Sequence, residues 1–158
     1  MKKIIFRIII VILLGITCGG IFYFSHQPAD KSDNTSGEVI KVIINTFSYT
    51  RNLDQHQKKI LQDRMQPIIR KLAHFSIYTI VGVLIMTFSS TFDWRLINKL
   101  SVSIGFGIIY AISDEIHQYF IPGRSCQITD VLIDLLGIVF GITFVTIINK
   151  YNKINKEE

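Results

Sequence analysis

The sequence predicts an all-α fold that crosses a membrane four times, with an amphipathic helical segment following the first crossing. Apolar runs at residues 4–24, 68–88, 100–120 and 128–148 are each about 20 residues long, enough to cross a hydrocarbon layer of about 30 Å as a helix. The 158 residues are 49% hydrophobic and 18% charged, with mean hydropathy +0.37, which is too apolar and too segmented for an ordinary soluble core. The net charge of +5 sits mostly between the apolar runs and at the termini, where lipid headgroups would meet it. Topology therefore accounts for the charge, and no nucleic-acid partner is assigned. The whole chain, 1–158, reads as one membrane domain.

The first run follows Lys2 and Lys3 and contains Arg7, so its start is expected on the cytoplasmic side. It is longer than a usual signal-peptide core and no A-x-A site follows it closely, which favours an anchor helix. Gly15-Ile16-Thr17 makes a poor small-residue approach to Cys18 for a lipoprotein signal. Cys18 and Cys126 are the two cysteines, and their placement suggests neither a disulfide framework nor a thiolate metal site.

Residues 25–66 are polar, mixed in charge and expected outside the cell membrane. Ser36 can cap a helix in which Val39, Ile40, Val42, Ile43, Ile44 and Phe47 make one apolar face, suited to packing on neighbours or lying along a membrane surface. A second helical stretch, Asn52 to Met65, reads as a solvated face, and Pro67 marks either its end or the first turn of the second apolar run.

The second run starts with Arg70, His74 and Tyr78 at i, i+4 and i+8, which a helix brings to one slowly rotating face; Lys71 lies beside them. A connector at 89–99 carries Trp94, a residue suited to the membrane interface. On the third run, 100° per residue places Ser103, Gly107, Tyr110, Asp114, His117 and Gln118 in one stripe, with Glu115 to its side. On the fourth, Gln127, Asp130, Asp134, Gly137 and Gly141 share a face, and the spacing of the two glycines permits close helix approach. The tail is basic again through Lys150, Lys153 and Lys156.

With a cytoplasmic N-terminus, four crossings put the basic connector and the C-terminus inside as well. The start of the second run, the end of the third and the start of the fourth then converge on the outer face. Arg70, Lys71, His74, Asp114, Glu115, His117, Gln118, Arg124, Asp130 and Asp134 meet there. Asp114 and Asp134 lie about 9 Å inside their runs at ~1.5 Å per residue. Ionised carboxylates at that depth cost several kcal/mol unless they face the bundle interior and find partners. Either a structural ion-pair network or a ligand or catalytic site would justify them.

RKLAHFSIY from Arg70, DEIHQYFIPGRS from Asp114 and TDVLIDLLG from Thr129, with FSHQPADKS after the first run, resemble the signature segments of the VanZ-like family of small bacterial membrane proteins. The segments cover much of the chain in the expected order. The resemblance implies a multi-pass protein of the bacterial cytoplasmic membrane and, through the family's namesake, a link to resistance to the glycopeptide teicoplanin. It supplies no reaction and no proven catalytic residue.

Three chemistries fit the converging residues. His74, Asp114, His117 and Asp130 could ligate a divalent metal, although D-x-x-H also arises by chance and no metal site is assigned. His117 or His74 could act as general base with Asp114 or Glu115 beside it, while Arg70, Lys71 or Arg124 holds a phosphate or carboxylate. Ser125 is a conceivable nucleophile, more simply a turn residue. Lastly, the cluster could bind a membrane lipid, a cell-wall precursor or a glycopeptide-related ligand without chemistry, with Tyr78, Gln118, Ser125, Asp130 and Asp134 among the contacts. Recognition of an outer-surface envelope component leads, a hydrolase or transferase on such a component comes second, and a structural or interaction role is third. The sequence names no cofactor.

Overall fold

The computed structural model describes residues 1–155, apart from the side chains of residues 48 and 49. Their regular structure is helical throughout: α1 (Lys2–Ser25), α2 (Ala29–Thr46), α3 (Ser48–Arg51), α4 (Gln55–Ser90), α5 (Leu96–Tyr119) and α6 (Ile128–Ile154). Four of these, α1, α4, α5 and α6, are long and apolar enough to cross a membrane. Much of their surface is uncovered isoleucine, leucine, valine and phenylalanine, among them Ile5, Ile12, Ile109 and Phe144. In water that would be a liability; against lipid tails it is the matching solvent.

The long helices alternate in direction. Arg7 of α1 donates to the Thr91 hydroxyl and carbonyl just after α4, both at 2.8 Å. Asn149 of α6 donates to Ser90 at 3.0 Å. These contacts define a termini end. At the opposite end Arg124, between α5 and α6, reaches the carbonyls of Phe24 in the last turn of α1 and Gln27 just past it. Lys156 of the basic tail lies outside the described residues.

Helices α4 and α6 form the most extensive contact, and glycines set their separation. A Cβ on Gly137 would overlap the Phe75 carbonyl oxygen, one on Gly141 that of Thr79, and one on Gly82 that of Ile138. The small-residue spacing on α6 is thus used for backbone approach, where dispersion contacts replace the hydrophobic drive that lipid cannot supply. Tyr78, Val81, Met86, Ala111, Ile138, Ile142 and Val145 fill the space between α4, α5 and α6, and Ile21 closes it from α1.

Two expectations for the polar segment need correction. Ser36 does not cap α2: the helix begins at Ala29 behind Pro28, and the Ser36 hydroxyl donates back to the carbonyls of Ser32 and Asp33. Contacts between α2 and α4, including Arg70 with Asp33 and Gln66 with the Asp33 carbonyl, accompany its polar first half. Of its apolar residues, Ile40 and Ile44 are buried while Val39, Val42 and Phe47 stay exposed. Nor does Pro67 end a helix, because α4 runs through it from Gln55 to Ser90. Asp54 starts it with a reciprocal capping box: its carboxylate accepts from Gln57 N at 2.7 Å and Gln57 Oε1 accepts from Asp54 N. The proline omits one backbone hydrogen bond, and both α2 and α6 pack against this helix.

Candidate functional site

Three walls of the site come from α4, α5 and α6 at the end opposite the termini. Their helical periods deliver His74 and Tyr78, Asp114 and Gln118, and Asp134 to the bundle interior. Tyr78 Oη donates to Asp114 Oδ2 at 3.1 Å and Gln118 Nε2 donates to the same oxygen at 3.0 Å. Arg124 in turn donates to Gln118 Oε1 at 2.9 Å. A chain of donors therefore runs from the rim to the Asp114 carboxylate.

Asp134 is treated differently. It is 0% exposed, and His74 Nδ1 lies 3.3 Å from its Oδ1, yet this approach lacks hydrogen-bond alignment: His74 Nδ1 and both Asp134 oxygens have no hydrogen-bond partner among the described residues. Ligand atoms of His74, Asp114 and Asp134 all lie within 4.8 Å of one another. Above them is a cleft of about 170 Å³, walled by Pro67, Arg70, Lys71 and His74 of α4 and by Gln127 and Asp130 at the start of α6. Asp130 occupies the first turn of α6, where a helix dipole favours an acid.

The remaining predicted residues are spread around this core. Glu115 is buried, and its Oε1 accepts from the Gln127 backbone N–H at 3.0 Å, securing the entry to α6. His117 faces α1: its ring stacks on Phe22 at 4.4 Å and its Nε2 is 3.4 Å from Nδ1 of His26. It is not among the residues whose ligand atoms converge, which are His74, Asp114 and Asp134. Arg124 spends its donors on the carbonyls of Phe24 and Gln27 as well as on Gln118. Burial, and then the neighbouring Arg70 charge, push its guanidinium below the ordinary arginine value. The Ser125 hydroxyl accepts from Gln127 Nε2 at 2.9 Å in the exposed stretch just after the turn that leaves α5. That turn begins at Ile121, whose carbonyl accepts from Arg124 N, and Gly123 adopts φ +77 within it; the Pro-Gly pair suits a type II turn.

A family model described as VanZ/LLP1 matches residues 8–149, nearly the whole chain. The chain belongs to the VanZ/LLP1 family. With its four membrane-length helices, it is a multi-pass membrane protein. No curated protein and no solved structure matches it. The segments that carried the sequence resemblance lie inside the matched VanZ/LLP1 region, and they supply His74, Asp114 and Asp134.

Sequence reasoning assigned no role to His26 and Asp33, which the fold of this VanZ/LLP1 chain places against His117 and Arg70. His26 lies in FSHQPADKS and Asp33 directly follows that segment, whose resemblance was visible while its partners were not.

Proposed function

We propose that this VanZ/LLP1 protein recognises an outer-surface component of the cell envelope by its anionic headgroup, a membrane lipid or a lipid-linked cell-wall precursor, with both termini in the cytoplasm. The cleft carries this reading. Arg70, Lys71 and His74 line one side of it, it opens where α4 enters the bundle, and it leads down to buried ionisable groups. Cationic side chains at membrane depth suit phosphate or carboxylate. Orientation follows from the basic residues at the termini end, Lys2, Lys3, Arg95, Lys99 and Lys150. Through the family, recognition of this kind would reduce susceptibility to a glycopeptide such as teicoplanin.

The test is native mass spectrometry of the protein released from lipid nanodiscs containing phosphatidylglycerol, set against nanodiscs of phosphatidylcholine alone. Retention of the anionic lipid by the wild type, and its loss in Lys71→Glu, supports the reading. Equal retention of both lipids by the wild type rejects it. A hydrolase or transferase acting on the same component is the second reading, favoured by His74, which lines the cleft, lying against the buried Asp134. Release of a labelled headgroup by the wild type but not by His74→Gln would establish it.

A further inference from the structure

We propose that His74, Asp114 and Asp134 form a site for one divalent first-row metal ion, Zn²⁺ or Mn²⁺, beneath the cleft. One residue comes from each of α4, α5 and α6, so the site exists only in the assembled bundle. Donors bound at about 2.0–2.2 Å in a tetrahedron stand roughly 3.3 Å from each other. His74 Nδ1 and Asp134 Oδ1 are 3.3 Å apart, and a ligand atom of Asp114 is within 4.8 Å of both.

Independent support comes from Asp134. Buried polar atoms are nearly always hydrogen-bonded, but both of its oxygens lack a hydrogen-bond partner among the described residues at 0% exposure. The facing His74 Nδ1 lacks one too, although the two side chains are in ion-pair range. Groups arranged around a shared third atom satisfy this pattern better than groups arranged for each other. Two carboxylates in an apolar bundle also match the charge of a divalent cation, whereas one imidazolium could balance only one of them.

The surroundings fit as well. Tyr78 and Gln118 hold Oδ2 of Asp114, the outer support that orients a metal-binding carboxylate. The mixture of one imidazole and two carboxylates suits Zn²⁺ and Mn²⁺ and leaves a coordination position open. His74, with 28% of its side chain exposed, also lines the cleft, giving an ion a way in. This site differs from the sequence-based set by replacing His117 and Asp130 with Asp134, and it makes His74 a ligand instead of a base.

Protein purified in detergent, stripped with chelator and equilibrated with Zn²⁺ or Mn²⁺, should retain about one ion per chain by elemental analysis. Asp134→Asn and His74→Gln should each weaken retention on the order of tenfold or more, while Asp63→Asn, on the exposed part of α4, should retain the ion. Titration of the wild type with Co²⁺ gives a readout that needs no variant to fold: visible d–d bands saturating at one equivalent are expected. No stoichiometric ion and no Co²⁺ bands in the wild type would overturn the site, as would an ion kept in full by a folded Asp134→Asn. Lipid retention measured on the metal-free protein tests the headgroup reading separately.

Discussion

The two ends of the bundle solve the problem of polar groups in lipid in opposite ways. At the termini end Arg7 satisfies the Thr91 hydroxyl and carbonyl and lies 3.9 Å over the Phe92 ring, which stacks on Trp94. Slightly deeper, the hydroxyls of Ser89 and Ser103 meet at 3.2 Å, and Ser103 also donates to Met86 Sδ. At the cleft end, carboxylates are buried with oxygens that have no hydrogen-bond partner among the described residues, on Asp134 and on Glu115. Both ends join helices, but only the second keeps bonding capacity in reserve. Polar groups that merely fasten a fold tend to be satisfied; those held unsatisfied at a cost are where a ligand or ion is to be sought.

Gly137→Val strikes what both ends share and should have the largest effect. Its side chain would collide with the Phe75 carbonyl between α4 and α6, and a loss of about 3 kcal/mol or outright misfolding is expected from SDS-unfolding titration. A neutral result would mean that the two ends do not depend on a common close contact.

Asp134→Leu combined with His74→Leu is expected to act in the opposite direction. With the buried pair replaced whole by apolar side chains of similar volume, the metal-free protein should be as stable or gain up to about 4 kcal/mol in the same titration. Destabilisation would make the cleft end a fastening like the other, with the His74–Asp134 pair as its bolt.

Arg7→Ala tests the termini end, where two hydrogen bonds and a ring contact are lost. The expected cost is about 1–2 kcal/mol, with retention of anionic lipid unchanged. Smallest is Ser103→Ala, which removes one hydroxyl from a membrane-buried pair and should cost about 0.6 kcal/mol.

The four crossings and the inward stripe of Asp114 and Gln118 were legible in the sequence because length and a 3.6-residue period survive whatever the neighbours do. The glycines of α6 were legible for the same reason, although their partners, the carbonyls of Phe75 and Thr79, were not. Pairings between elements depend on how each helix is rotated and how deep it sits. Hence His117, on the predicted stripe, faces Phe22 and His26 of the first helix and its exit. Arg124, a candidate anion binder by charge, is engaged by carbonyls that appear in the sequence only as backbone. Pro67 misled because a proline at a polar-to-apolar boundary usually marks an end, and nothing local reports the helices packed beside it.

The uninterrupted α4 has a mechanical consequence. Its 36 residues make a rod about 54 Å long at ~1.5 Å per residue, whereas the hydrocarbon layer is about 30 Å thick. The surplus is the polar stretch before Pro67, splinted along its side by α2, whose Asp33 carbonyl accepts from Gln66. A force applied to that protruding segment is carried along a stiff mast to Pro67, where the hydrogen-bond ladder lacks a rung. That point is a wall of the cleft.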